Sequence, residues 1–250
     1  MNVAIDRAIR EQVQARAFDD ATPQEILRWG MDTFAPRLAL SASFGSPEGL
    51  VLLDMMHKID PARTRVFTID TGRLPQETYD LMDRVRSRYE VEVELYFPRA
   101  EAVEAMVRQH GPNLFYDAVE LRRKCCGIRK VEPLDRALSG LDAWIAGLRP
   151  DQGVTRGDVK AVEVDEVHGG RIKLNPLVRW TREQVMDYVE HHHVPINRLH
   201  EEGYPSVGCA PCSRSIRPGE DERAGRWWWE NADSRECGIH VGYEEKGSGI

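Results

Sequence analysis

Twice in succession the chain reads strand, short polar loop, helix, and this order constrains its fold more than any other feature. Arg37 to Ser43 (RLALSAS) predicts a short strand entering a turn, and Pro47 to Ile59 (PEGLVLLDMMHKI) has the length and apolar pattern of a helix. Arg65 to Ile69 (RVFTI) is apolar and β-branched, Asp70-Thr71-Gly72-Arg73 reads as a turn, Pro75 to Tyr89 carries helical periodicity, and Val91 to Leu95 alternates as a strand. Helices between successive strands return the chain parallel to itself, so the fold class is α/β with a doubly wound, mostly parallel sheet. Ala143 to Ala146 (AWIA) predicts a fourth strand, and Ile172 to Leu174 a short edge strand. Two helices precede the sheet: one within residues 3 to 17, and one opened by the capping box Thr22-Pro23-Gln24-Glu25. A further capping box, Thr181 to Gln184, starts a helix running to about His192. The chain therefore divides into N-terminal helices (1–36), an α/β domain (37–195) and a C-terminal tail (196–250) rich in loops and short helical pieces.

Composition narrows the setting. With 34 Lys plus Arg against 41 Asp plus Glu, the net charge of the 250 residues is −7, which argues against affinity for nucleic acid backbones. No run approaches the roughly 20 apolar residues that span a bilayer. Asp6, Arg7, Arg10 and Glu11 stand where a secretory signal needs an unbroken apolar stretch, so the expected compartment is the cytoplasm.

Five cysteines in a reducing compartment do not suggest a disulfide framework. Cys125 and Cys126 are adjacent, Cys209 and Cys212 form a CxxC, and Cys237 stands alone near the carboxyl end. If the fold brings the pair and the CxxC together, an all-thiolate set suits zinc or an iron-sulfur cluster. Adjacent thiolates hold one tetrahedral zinc awkwardly, whereas two irons of a 4Fe-4S cluster can each take one of them, so the cluster is the preferred reading. Cys237 lies in Arg235-Glu236-Cys237-Gly238-Ile239-His240, where a reactive thiol explains its presence better than packing does, and His240 is placed to lower its pKa or to meet an anionic substrate.

In an open parallel sheet the ligand sits beyond the carboxyl ends of the strands. Ser43-Phe44-Gly45-Ser46 and Asp70-Thr71-Gly72-Arg73 both fall there, and with Arg73 they favour an anionic ligand over an ordinary connecting loop. Arg223 and Arg226 precede Trp227-Trp228-Trp229, and on a helical turn their spacing would put both guanidinium groups on one face, a geometry suited to phosphate or sulfate. The tryptophans would pack the tail on the body or serve self-association as a homo-oligomer. His191-His192-His193 complements a helix end better than it binds metal.

Together these segments resemble the thioredoxin-dependent adenylyl-sulfate reductases, the iron-sulfur branch of the phosphoadenylyl-sulfate reductase family. The resemblance covers about residues 37 to 241 and rests on Ser43-Phe44, Thr68 to Pro75, Lys124 to Lys130 (KCCGIRK), Trp144 to Gly147, Asn175-Pro176-Leu177, Gly203 to Cys212 (GYPSVGCAPC), Arg223 to Glu230 and Glu236 to His240 (ECGIH). It implies an adenine nucleotide α-hydrolase-like sheet and a 4Fe-4S cluster on Cys125, Cys126, Cys209 and Cys212. It further implies that Cys237 attacks the sulfur of adenosine 5'-phosphosulfate, expelling AMP and leaving an S-sulfocysteine. Thioredoxin, a separate partner, then releases sulfite in the assimilatory route toward cysteine. Ser43, Phe44, Gly45, Asp70, Gly72, Arg73, Lys130, Gly147, Arg156, Arg223, Arg226 and His240 would bind the substrate, with Lys130 between cluster and substrate and Arg156 on the phosphosulfate side. Gly49 stands where many iron-sulfur members carry a second acidic residue.

Three other readings compete. Reduction of the 3'-phosphorylated nucleotide by the same mechanism is the nearest; the cluster cysteines favour the unphosphorylated form. An ATP pyrophosphatase of similar fold needs a fuller Ser-Gly-Gly-x-Asp-Ser loop than Ser43 to Glu48 supplies. An iron-sulfur redox sensor leaves Cys237 and the two polar loops unexplained.

Overall fold

The computed structural model describes residues 7–150 and 159–231. Its centre is a six-stranded sheet in the order β3-β2-β1-β4-β6-β5. The strands are β1 (Leu38–Ser41), β2 (Val66–Ile69), β3 (Val93–Tyr96), β4 (Ala143–Ala146), β5 (Val162–Asp165) and β6 (Arg171–Leu174). All pair in parallel except β5, which runs antiparallel to β6. Chain order reverses between β1 and β4, so the crevice of a doubly wound sheet opens where Ser41 and Ala146 sit side by side.

Alternation along these strands sorts the core into two layers. Leu38, Leu40, Ala143 and Ile145 face one side, with α2 (Pro23–Phe34), α3 (Pro47–Ile59), α4 (Gln76–Tyr89) and α8 (Arg182–His192). Ala39, Phe67, Trp144 and Ala146 face the other, against Leu134, Ala137 and Leu138 of α7 (Glu132–Leu138). The N-terminal helix α1 (Arg7–Gln14) buries Val13, and α2 begins at the expected capping box, with both reciprocal bonds between Thr22 and Glu25 formed. The second capping box is formed likewise by Thr181 and Gln184. α8 ends in His191 and His192, with His193 taking the left-handed cap.

Two expectations need correction. Ile172 to Leu174 belongs to an interior strand: β6 is flanked by β4 and by β5, an edge strand that sequence pattern did not single out. β5 reads VEVD, and its charges find partners on strands β6 and β4 and in the turn that follows: Glu163 pairs with Lys173, while Asp165 accepts bonds from Trp144 Nε1 and from His168. The stretch between β3 and β4 also holds three helices not foreseen: α5 (Ala100–His110), α6 (Val119–Cys126) and α7.

Between α6 and α7 runs a π-helical turn, Gly127–Val131. Pro133 in the first turn of α7 lacks an amide hydrogen, and its ring would strike the carbonyl four residues back, so the α-helical ladder cannot pass through unaltered. Such turns shift the angular phase of the side chains that follow, and this one carries Lys130. No helix among the described residues is long and apolar enough to cross a membrane.

Candidate active site

A cavity of about 170 Å³ occupies the crevice at the carboxyl ends of β1, β2 and β4. Ser41 to Ser43 form one wall, Ala146 to Leu148 another, and Ser46 and Gly49 at the start of α3 a third; Ser206 to Gly208, Arg223, Arg226 and Trp227 close it from the tail. The helix start is suited to an anion. Pro47 occupies its first turn and the Ser46 side chain makes no capping bond, so the positive end of the dipole faces the cavity. Gly147 permits the close approach of β4 to this helix: a Cβ there would lie 2.8 Å from Glu48 Cβ and 3.1 Å from the Gly49 amide nitrogen.

The first loop is held from behind. Phe44 is fully buried with φ +55°, a left-handed conformation that its neighbours enforce: its carbonyl accepts Asn197 Nδ2 at 3.1 Å, and the next carbonyl, of Gly45, accepts the Val207 amide at 2.9 Å. A side chain on Gly45 would collide with the Val207 carbonyl, so this glycine allows the tail to dock closely on the loop.

The second loop turns away from the cleft. Asp70 accepts the Gly72 amide at 2.7 Å and the Tyr79 hydroxyl at 3.0 Å, fixing the turn; burial, together with Asp70, pushes the Tyr79 phenol up to about 12. Gly72 adopts φ +69° beside Arg129. The Arg73 guanidinium bonds Pro112 O and Asn113 Oδ1 and stacks 4.9 Å from the Phe115 ring. Arg73 thus lines a second cavity, the one that gathers the cysteines.

That second cavity is lined by Cys125 and Cys126 at the end of α6 and by Cys209 and Cys212, all four as free thiols. Successive residues on a helix point about 100° apart, which explains why Cys125 is buried while Cys126 is half-buried. Arg122, Arg129 and Lys130 join Arg73 around the thiols. Thr71, itself buried, places its hydroxyl 3.1 Å from Cys209 Sγ. Burial pushes the Cys125 thiol up and the Cys212 thiol up to about 12, so thiolates here need positive charge close by. All-sulfur donors ringed by cations meet the demands of an anionic thiolate centre. Among the described residues no three His, Cys, Asp or Glu side chains converge on a single-ion position, and the four thiols line one common cavity.

Lys130 lines both cavities. Arg223 and Arg226 reach the first cavity from hydrogen-bonded turns and not from the helical turn that their spacing suggests: Ala224 N bonds Asp221 O, Arg226 N bonds Arg223 O, and Arg226 pairs with Ser213 in an isolated antiparallel bridge. The structure therefore brings Ser43, Lys130, Gly147, Arg223 and Arg226 together and places Arg73 in the thiol cavity, while Asp70 and Gly72 line neither cavity and shape the turn that carries Arg73. Arg156, Cys237 and His240 lie outside the described residues.

Sequence reasoning missed two buried ion pairs that frame this site. Arg149 and Glu48, both essentially inaccessible, meet at 2.7 Å; Arg122 and Glu230 meet at 2.8 Å. Nothing local marks these residues, because each partner is supplied by a distant part of the chain.

Residues 37–215 match the model of the phosphoadenosine phosphosulfate reductase domain. Among curated relatives, an adenosine 5'-phosphosulfate reductase of Burkholderia cepacia is 53% identical over 176 residues, 70% of each chain. One of Allochromatium vinosum is 46% identical over 203 residues, 81% of this chain and 78% of the relative. A crystal structure of phosphoadenylyl-sulfate reductase from Candida auris, a phosphate complex, superposes with a TM-score of 0.70 at 30% identity, covering 86% of this chain and all of that one. Candida glabrata FMN adenylyltransferase, at 16% identity and a TM-score of 0.53, shares the fold alone. From the domain match and the identity of these relatives, the chain belongs to the phosphoadenosine phosphosulfate reductase family.

Proposed function

We propose that the protein reduces adenosine 5'-phosphosulfate to sulfite and AMP in assimilatory sulfate reduction, with Cys237 as nucleophile and a thioredoxin as reductant in the cytoplasm. The observation that carries this reading is Lys130, whose side chain is common to an anion-suited crevice and a four-thiol cavity. The names of the relatives support the substrate.

The crevice would hold the nucleotide, with the α3 start, Ser43 and Ser46 toward its anionic part and Leu74, Ile69 and Leu148 supplying apolar wall. Lys130, Arg223 and Arg226 would lower the repulsion between an incoming thiolate and the phosphosulfate, and would stabilise the charge gathering on the departing phosphate. Cys237 Sγ forms a bond to sulfur as the bond from sulfur to the phosphate oxygen breaks, giving enzyme S-sulfocysteine and AMP. A thioredoxin thiolate then attacks Cys237 Sγ and sulfite leaves; the second thioredoxin thiol resolves the mixed disulfide, so the dithiol supplies both electrons. Cys125, Cys126, Cys209 and Cys212 would hold a 4Fe-4S group, which when bound supplies a structural staple and a fixed local field beside Lys130.

Incubating the anaerobically purified protein with adenosine 5'-phosphosulfate labelled in its sulfur, without thioredoxin, tests this directly. Label on the Cys237 peptide, released as sulfite by thioredoxin, is the expected result; an unlabelled chain that retains its iron removes the proposal. Lys130→Ala is expected to lower kcat/KM about 100-fold, as loss of an oxyanion-stabilising group does, while Tm moves by no more than about 3 °C. An unchanged rate would show that the lysine acts elsewhere.

The structural relative named for the 3'-phosphorylated nucleotide keeps a second reading in view. Comparing kcat/KM for the two nucleotides decides it, and a preference for the 3'-phosphate would overturn the substrate assignment.

A further inference from the structure

The segment from Glu222 to Glu230 carries Arg223, Arg226 and Trp227 to the cavity wall, and each of its ends is fixed by a carboxylate. At the first end Glu222 accepts Arg149 Nη2 at 3.4 Å and pairs with Arg182 at the start of α8. Arg149 also donates Nε to Glu48 at 2.7 Å, which ties this end to the first turn of α3 and hence to the nucleotide crevice. At the other end Glu230 receives a two-point bond from Arg122, with Nε at 2.9 Å and Nη2 at 2.8 Å. Arg122 lies one helical turn before Cys125 on α6, so this end is tied to the thiol centre.

Between the two ends the backbone is strained and crowded with charge. Trp227 is buried at φ +44°, a conformation that a bulky residue holds only where its surroundings over-determine it. The guanidinium carbons of Arg122 and Arg226 each lie 4.8 Å from its ring centre, and that of Arg223 lies 5.9 Å away. Each cation is attracted by the indole face, but the three repel one another, and the Glu230 carboxylate on Arg122 is a buried counter-charge. Arg226 is also held by Cys212: its Nε donates to the Cys212 carbonyl at 3.3 Å, and a side chain on Gly208 would strike its guanidinium.

We infer that Glu230 and Arg122, seconded by Glu222, are positioning residues: they set the posture in which Arg223 and Arg226 meet the substrate anion, and so couple the thiol helix to the nucleotide crevice. This rests on the substrate reading given above. The sign of the effect separates positioning from simple electrostatics. Removing the Glu230 charge leaves more positive charge beside the cavity, which by Coulomb attraction alone would tighten anion binding. Loss of posture weakens it.

The test is a double-mutant cycle on affinity for adenosine 5'-phosphosulfate, in the full-length Cys237→Ser protein with its iron content verified, so that no adduct forms. Glu230→Gln is expected to raise Kd about tenfold, Arg226→Ala about 30-fold, and the double variant no more than Arg226→Ala alone, because contacts acting through one another do not add. Tighter binding by Glu230→Gln, unchanged binding, or effects that multiply in the double variant would each overturn the inference. Should Glu230→Gln fail to fold, Glu222→Gln carries the same test, with weakening of about fivefold that vanishes when Arg223 is also replaced. If the parent protein binds no adenosine 5'-phosphosulfate, the substrate reading fails and takes this inference with it. If it binds and only Arg226→Ala matters, the inference fails and the reading stands.

Discussion

Cys237→Ser is expected to lower sulfite formation by about 10^4-fold or more, the scale of losing a covalent nucleophile, while the iron content and visible absorption of the protein stay unchanged. Serine keeps the shape of the side chain and loses what the reaction needs. Its hydroxyl is not ionised near neutral pH and is a far weaker nucleophile than a thiolate, so the bond from oxygen to sulfur does not form, and no S-sulfo adduct exists for a thioredoxin thiolate to attack. The measurement is single-turnover AMP release, read together with radiolabel retained on the chain. AMP released at an undiminished rate by the variant would transfer the nucleophile's role away from Cys237.

Cys209→Ser should fail differently, losing iron and activity together. Cys209 is one of the four thiols around the second cavity, and its sulfur lies 3.1 Å from the Thr71 hydroxyl. Replacing groups that merely touch a metal ligand costs about 10- to 100-fold in metal affinity, so removing a ligand itself should exceed about 100-fold. Iron and labile sulfide assays on anaerobically purified protein check this, alongside sulfite production. A folded, active, iron-free variant would defeat the ligand assignment. The contrast between the two serine variants matters more than either result alone, because it separates chemistry at the tail from support at the thiol cavity.

Much of the frame was legible in the sequence because it is encoded locally. Pro47–Ile59 announces α3 by its own periodicity, Thr22 and Thr181 announce helix starts by reciprocal capping, and AWIA announces β4. The site was legible in part: the double cysteine and the CxxC do line one cavity, and Ser43, Lys130, Gly147, Arg223 and Arg226 do line another. What escaped depends on partners remote in sequence. Arg73 sits on an exposed-looking turn, yet Pro112, Asn113 and Phe115 occupy its guanidinium. α6 reads VELRRKCC, the composition of a solvated helix, and Glu230 and the Trp227 ring explain how Arg122 in its middle is fully buried. β5 is short and acidic, and its Asp165 is settled by Trp144 on β4 as well as by His168 in the turn that follows. Charged residues in such places look like surface until the fold delivers their counterpart.

The way the tail closes on the body also bears on the order in which the molecule is made. Thr71 meets Cys209 across 138 positions, Arg122 meets Glu230 across 108, and Phe44 meets Asn197 across 153. Contacts of such separation carry the largest loop-closure entropy and form after the local helices and neighbouring strands have condensed. During synthesis the sheet from β1 to β4 can assemble while the thiols of α6 still lack the CxxC and Arg122 still lacks its carboxylate. Closure of the two cavities therefore comes late, once residues up to Glu230 have emerged and docked, and a nascent chain has its sheet before it has its site.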